Sequence, residues 1–169
     1  MKEDVPTLTA SSVATTHRVG WRTWGTAALA TLTAYSAAIG WQAQLVSYPL
    51  YRAVGSEEFA AYHLQYNDSI PIVVIAPGFA AFLGGIAFVW TRPADVPRWA
   101  AFVVAGGGLT SVLTTVLWAI PMHNRLDSIG QSQQTIDSLI MANVPRTVAL
   151  TVSTGVLMWA LVRSRRRAS

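Results

Sequence analysis

Four apolar runs divide this chain. Gly25–Leu50, Pro71–Thr91 and Trp99–Met122 contain no Asp, Glu, Lys or Arg, and neither does Thr147–Val162. About 20 apolar residues, rising about 1.5 Å each, cross a hydrocarbon core of about 30 Å. The pattern predicts an all-α transmembrane four-helix bundle, with spans near 24–46, 71–90, 99–118 and 144–162. Residues 1–20, rich in Thr, Ser and Ala, are expected to be a disordered tail. Residues 21–163 form the helical domain, and 164–169 a basic tail. Connections one and three then emerge together, opposite both termini.

The first connection carries its own signals. Gly55 and Ser56 read as a helix start, with Ser56 able to cap and Glu57 and Glu58 at the positive end of the dipole. Phe59, His63 and Tyr66 then fall on one face. This predicts a short amphipathic helix that lies on the membrane or caps the bundle. Pro49 is expected to kink or end the first span. Gly84, Gly85 and Gly106–Gly108 fit close helix contacts, including those of a homo-oligomer. A faint repeat is visible: Tyr48-Pro-Leu-Tyr51 and Ile120-Pro-Met-His123 leave spans one and three, and Pro71 and Pro145 begin the return. It implies two similar hairpins.

Charge adds direction. Nine basic residues (Lys2, Arg18, Arg22, Arg92, Arg98, Arg163, Arg165, Arg166 and Arg167) lie on the tails and the second connection. Arg52, Arg125 and Arg146 lie on the other side. The positive-inside rule makes this a multi-pass integral membrane protein with both termini cytoplasmic. The net charge of +4 then reflects contact with the lipid bilayer, its expected partner, and no nucleic-acid role. Only 12% of the 169 residues are charged, against about 25% in soluble domains. The first span exceeds the 7–15 residues or so of a signal-peptide core, so it is expected to be retained. With no cysteine, thiolate chemistry is excluded.

The candidate chemistry gathers in connections one and three. His63 and His123 are suited to proton transfer near neutral pH. Glu57, Glu58, Asp68, Asp127 and Asp137 share those connections. No His-x-x-x-His, Glu-x-x-His or HExxH spacing occurs, so no metal is predicted; His63 and His123 would hold one if any were bound. Asn67 stands four residues after His63 but is a poor transition-metal ligand. The plainer reading makes both histidines interfacial caps. Arg146, beside Asn143, stands at the edge of hydrocarbon and needs a partner, Glu58 or Asp68, or an anionic oxygen on a substrate; otherwise it anchors the span. Gln44 is expected to face the bundle. The Ser and Thr residues of spans three and four read as packing groups, and the tyrosines, with Trp41 and Trp118, as an interfacial belt.

The strings Trp41-Gln-Ala-Gln-Leu-Val-Ser-Tyr-Pro-Leu-Tyr51, Glu58-Phe-Ala-Ala-Tyr-His63, Pro121-Met-His-Asn-Arg-Leu126 and Asn143-Val-Pro-Arg-Thr147 resemble the anthrone oxygenase-like family of small four-span membrane proteins. The resemblance runs from about residue 24 to 162. It implies oxidation of an anthrone methylene to a quinone carbonyl, with molecular oxygen as co-substrate and no recognised cofactor. It also implies a lipophilic small-molecule substrate, a base at His63 or His123, and enolate stabilisation by Arg146 and Asn143. Glu58, Gln44 and Asn67 complete the expected substrate site. The same groups would serve a non-redox proton-transfer or cyclisation step. A third reading is a non-catalytic assembly or carrier protein.

Overall fold

A computed structural model describes residues 20–166. The expected disordered tail, apart from Gly20, and residues 167–169 of the basic tail lie outside the described residues. Every element within them is helical. Helix α1 (residues 21–50) comprises Trp21–Gln42, a π-turn at Ala43–Ser47 and a last turn at Tyr48–Leu50, followed by a 3-10 turn at Tyr51–Ala53. Helices α2 (Phe59–Thr91), α3 (Arg98–Ile129) and α4 (Gln133–Arg166) follow with short links. Gly130, at φ 77°, makes the turn between α3 and α4.

Helices α2, α3 and α4 are long and apolar enough to cross a membrane. Their outward faces carry large apolar side chains such as Leu83, Phe102, Leu117 and Val152. The chain is accordingly read as an integral membrane protein. Helix α1 is not among the three. Beyond Arg22 in its first turn it lacks charge, but its threonines and glutamines dilute its hydropathy, so the expectation of four spans is met in full for three.

The helices also run further than the apolar runs. At about 1.5 Å per residue, α2–α4 are each about 48 Å long, about 18 Å more than the hydrocarbon core. The segment expected as a separate amphipathic helix is the first part of α2: Phe59–Ile70 passes through a π-turn at Pro71–Ile75 into Ala76–Thr91. The helix starts at Phe59 rather than at Ser56, and no side chain caps it. Connections one and three therefore consist largely of helix ends that extend beyond the apolar runs.

Prolines explain how these helices stay continuous. The three π-turns, Ala43–Ser47, Pro71–Ile75 and Thr115–Ala119, each end two residues before a proline: Pro49, Pro77 and Pro121. Proline lacks an N–H, and its ring presses on the carbonyl four residues earlier. A widened turn absorbs that clash without breaking the helix. The carbonyl that Pro77 cannot serve belongs to Val73, and the Tyr35 hydroxyl of α1 donates to it at 3.2 Å. In lipid an orphan carbonyl is costly, so this bond stabilises the α1–α2 seam. Helix α4 carries Pro145 with no π-turn. The faint repeat is thus expressed in α1 and α3 but not in α2 and α4.

Small residues close the end where the chain's Arg92–Arg98 link lies. A Cβ on Gly107 would come within 2.9 Å of the Ala149 carbonyl of α4, and one on Gly108 within 2.9 Å of the Phe82 Cα of α2. Ala100, Ala101 and Ala160 complete this packing. These glycines make contacts within the monomer, which removes the sequence argument that they build an oligomer interface; Gly106 alone of the triplet faces open space.

Candidate functional site

The opposite end holds a buried polar cluster. Tyr48 and Tyr51 come from the end of α1, His63, Tyr66 and Asn67 from the start of α2, His123 and Asp127 from the end of α3, and Asn143 and Arg146 from α4. Antiparallel neighbours bring these ends together. Tyr51, fully buried, is the hub: its ring lies 5.4 Å from those of His63 and Tyr66 and 5.9 Å from Phe59 and Tyr62. Burial, with Tyr66 and Tyr48 close by, pushes its phenol up, so it stays protonated. Tyr48 and Tyr51 are therefore core residues, and the expected belt role is corrected for both. The Gln131 side chain donates to the carbonyls of Tyr51 and Val54 at 2.9 and 2.8 Å and ties connection one to connection three. Arg52 and Asp137 pair across the same surface.

A chain of hydrogen bonds runs inward from water. Asp127, partly exposed, lies 2.6 Å from Nδ1 of His63, which is wholly buried. His63 Nε2 lies 3.0 Å from Nδ1 of His123, itself buried. Asn67 donates to both Asp127 oxygens at 3.2 and 3.0 Å and holds the carboxylate in place. The tautomers follow with both rings neutral. An ionised carboxylate only accepts, so His63 Nδ1 carries a proton. His63 Nε2 must then accept from His123 Nδ1–H, and His123 Nε2 is left with its lone pair free. That nitrogen is the base the arrangement offers, with Asp127 positioned to balance a charge arriving on the pair.

Arg146 is the second element. It is 5% exposed, yet it enters no ion pair among the described residues. Its Nε donates to Asn143 Oδ1 at 2.7 Å, and its NH1 lies 3.4 Å from Thr115 Oγ1. Asn143 in turn donates to Gly40 O at 2.9 Å and Gln44 Oε1 at 2.8 Å. A buried guanidinium with only neutral partners has residual affinity for an anionic oxygen. It faces two spaces of about 20 Å³ each. One is lined with His123, Tyr48 and Tyr66, the other with Ser36, Ser111 and Thr115. Each is about the size of a water molecule. The Ser36 hydroxyl is buried without a partner beside the second.

Of the expected site residues, His63, His123, Asn67, Asn143, Arg146 and Gln44 share this end of the bundle. Glu58 lies at the same end but outside the cluster: it is exposed and folded back over Gly55. Nor does Arg146 meet Glu58 or Asp68. Asp127 is the residue the sequence reading left among several acids, although its place four residues after His123 put both on one face of a helix. Among the described residues no group of three His, Cys, Asp or Glu is arranged to hold a metal ion. No family model, curated protein or solved structure matches the chain.

Proposed function

We propose that this is a four-span membrane enzyme with cytoplasmic termini that removes a proton from a lipophilic small molecule and passes the resulting carbanion to molecular oxygen, as in the anthrone oxygenase-like proteins its motifs resemble. The observation that carries it is the Asp127–His63–His123 chain ending beside the unpaired Arg146. His123 Nε2 takes the proton from a methylene conjugated to a ketone through the flanking aromatic rings. The negative charge that develops on the ketone oxygen is held by Arg146, with Asn143 fixing the guanidinium. His63 and Asp127 stabilise the imidazolium. Oxygen accepts two electron pairs from the carbon, so that R₂CH₂ and O₂ give R₂C=O and H₂O, and no other oxidant is consumed.

A non-redox reading uses the same groups up to the enolate and ends in isomerisation or cyclisation. Its support is that every named residue moves protons or holds charge, and none carries electrons. The test is oxygen uptake by the purified protein in nanodiscs supplied with anthrone. One O₂ per anthrone, lost in His123→Ala, supports oxygenation. Deuterium exchange at the methylene without oxygen uptake supports the non-redox reading. A His123→Ala protein as active as wild type ends both, and no reaction at all favours an assembly or carrier role.

A further inference from the structure

The reacting groups face spaces that hold only water, so a ligand's body must lie elsewhere. From the aqueous side the way in is shut. Tyr51, Phe59, Leu126, Ile136 and Leu139 are all wholly buried and plug the histidine end. At the other end, glycines and alanines bring the helix backbones into close contact. A larger space, about 180 Å³, lies in the seam between α1 and α2. The two helices pack along Ala76–Thr91 and part beyond the Tyr35–Val73 bond. Tyr35 is eleven residues from the exposed Trp24, about 16 Å, and Gln42 about 27 Å. The α1 lining of the groove begins at Ile39, fifteen residues or about 22 Å from Trp24, so the groove lies in the half of the bundle nearer the far interface.

We propose that this seam is a lipid-side binding groove for a neutral lipophile bearing a phenol or ketone oxygen, and that it delivers one edge of that molecule past Val74 to His123 and Arg146. The inference rests on the proposed enzyme reading and names its route and ligand class. The walls specify the occupant. Ile39, Ile70 and Val73 offer apolar surface. Gln42, Ser47 and Tyr66 offer hydrogen bonds at the interfacial end, and no charged residue lines the groove. A phosphate headgroup would find no cation there, whereas a flat ring with one neutral oxygen matches both parts. Val74 lines the groove and both small cavities, so its side chain is the partition between them. It sits on the π-turn Pro71–Ile75, in which no residue is buried, so little packing resists its displacement.

The experiment is equilibrium binding of radiolabelled anthrone to the full protein in nanodiscs, with empty nanodiscs subtracted. Val73→Trp plugs the groove at a position already exposed. Ile72→Trp, its lipid-facing neighbour, is the control, and Ser69→Trp plugs the other end should Val73→Trp fail to fold. The plugging variants are expected to bind at least tenfold more weakly, with Ile72→Trp within twofold of wild type. His123→Ala is expected to bind normally while its turnover falls by about 10²- to 10⁴-fold. Wild-type affinity in the folded plugging variants, or no saturable binding to wild type, overturns the groove. Saturable binding abolished by the plugs, with no oxygen uptake, upholds the groove and overturns the oxygenase instead.

Discussion

The two ends of the bundle are built from the same four helices by opposite means. At the arginine end, glycine and alanine let the backbones touch, and the link carbonyls are served by side chains. Arg92 donates to Val89 and Val96, Arg163 to Asp95, and Arg22 to Arg92. At the histidine end, rings replace small residues, two histidines and an arginine are buried, and the hydroxyls of Ser36 and Thr147 find no partner among the described residues. Buried polar groups cost stability unless satisfied. A chain optimised only to fold would make both ends alike. The difference is what the proposed function would require: one end as structural support, the other giving up stability for a reactive site.

The sharpest break in that comparison is a substitution that empties one end of its function while leaving the fold. His123→Ala should lower turnover by about 10²- to 10⁴-fold, the usual contribution of a positioned general base. The thermal midpoint in detergent should fall by several degrees, because the removed ring gives up its hydrogen bond to His63 and its contacts with His63, Tyr48 and Tyr66, but the protein should stay folded below it. Equal loss of folding and activity would show the histidine to be a structural cap.

Gly107→Val tests the other end with the opposite expectation. The new side chain would press on the Ala149 carbonyl, and overpacking of this kind costs about 1–3 kcal/mol. The unfolding midpoint should fall by several degrees, while anthrone turnover measured well below it stays within about twofold. A selective loss of turnover with an unchanged midpoint would mean that the two ends are coupled, against the division argued here.

The division itself is only half legible in the sequence. The charge-free runs reveal the helices, and alternation of helix direction puts His63, His123, Asn143 and Arg146 at one end. That much needs no side-chain detail. The partners need helix phase and length, which the apolar runs do not supply. Pro49, Pro71 and Pro121 look like breaks, yet the helices run on through all three, past Pro49 and Pro121 by way of π-turns. That adds turns on which Asp127 and Asn67 reach His63. Glu58 was a plausible partner for Arg146 only while a separate surface helix was expected there. Tyr48 and Tyr51 resemble a membrane belt in sequence because the same residue types serve interfaces and cores.

Asp127→Asn sharpens the account of the histidine end without emptying it. The amide still accepts from His63 Nδ1–H through its oxygen, so the tautomers survive. It no longer offers a negative charge to the imidazolium. Turnover should fall by about tenfold, between wild type and His123→Ala, with anthrone binding unchanged. A loss as large as that of His123→Ala would instead make Asp127 essential for setting the tautomers.

The smallest effect is expected from Arg52→Ala, and it bounds the site. Arg52 and Asp137 form the other ion pair among the described residues, but both side chains are well exposed. Water and salt screen such pairs, which are worth about 0–1 kcal/mol. Asp127 resembles Asp137 in exposure, and what separates them is the partner. His63 is wholly buried, so its bond to Asp127 connects water to the interior, whereas Arg52–Asp137 joins two surface points. The variant should unfold within about 1 kcal/mol of wild type, with unchanged turnover and a difference that shrinks further in high salt. A large kinetic effect would place the clasp between connections one and three in control of the histidine pair beneath it, and the site would then extend to the surface.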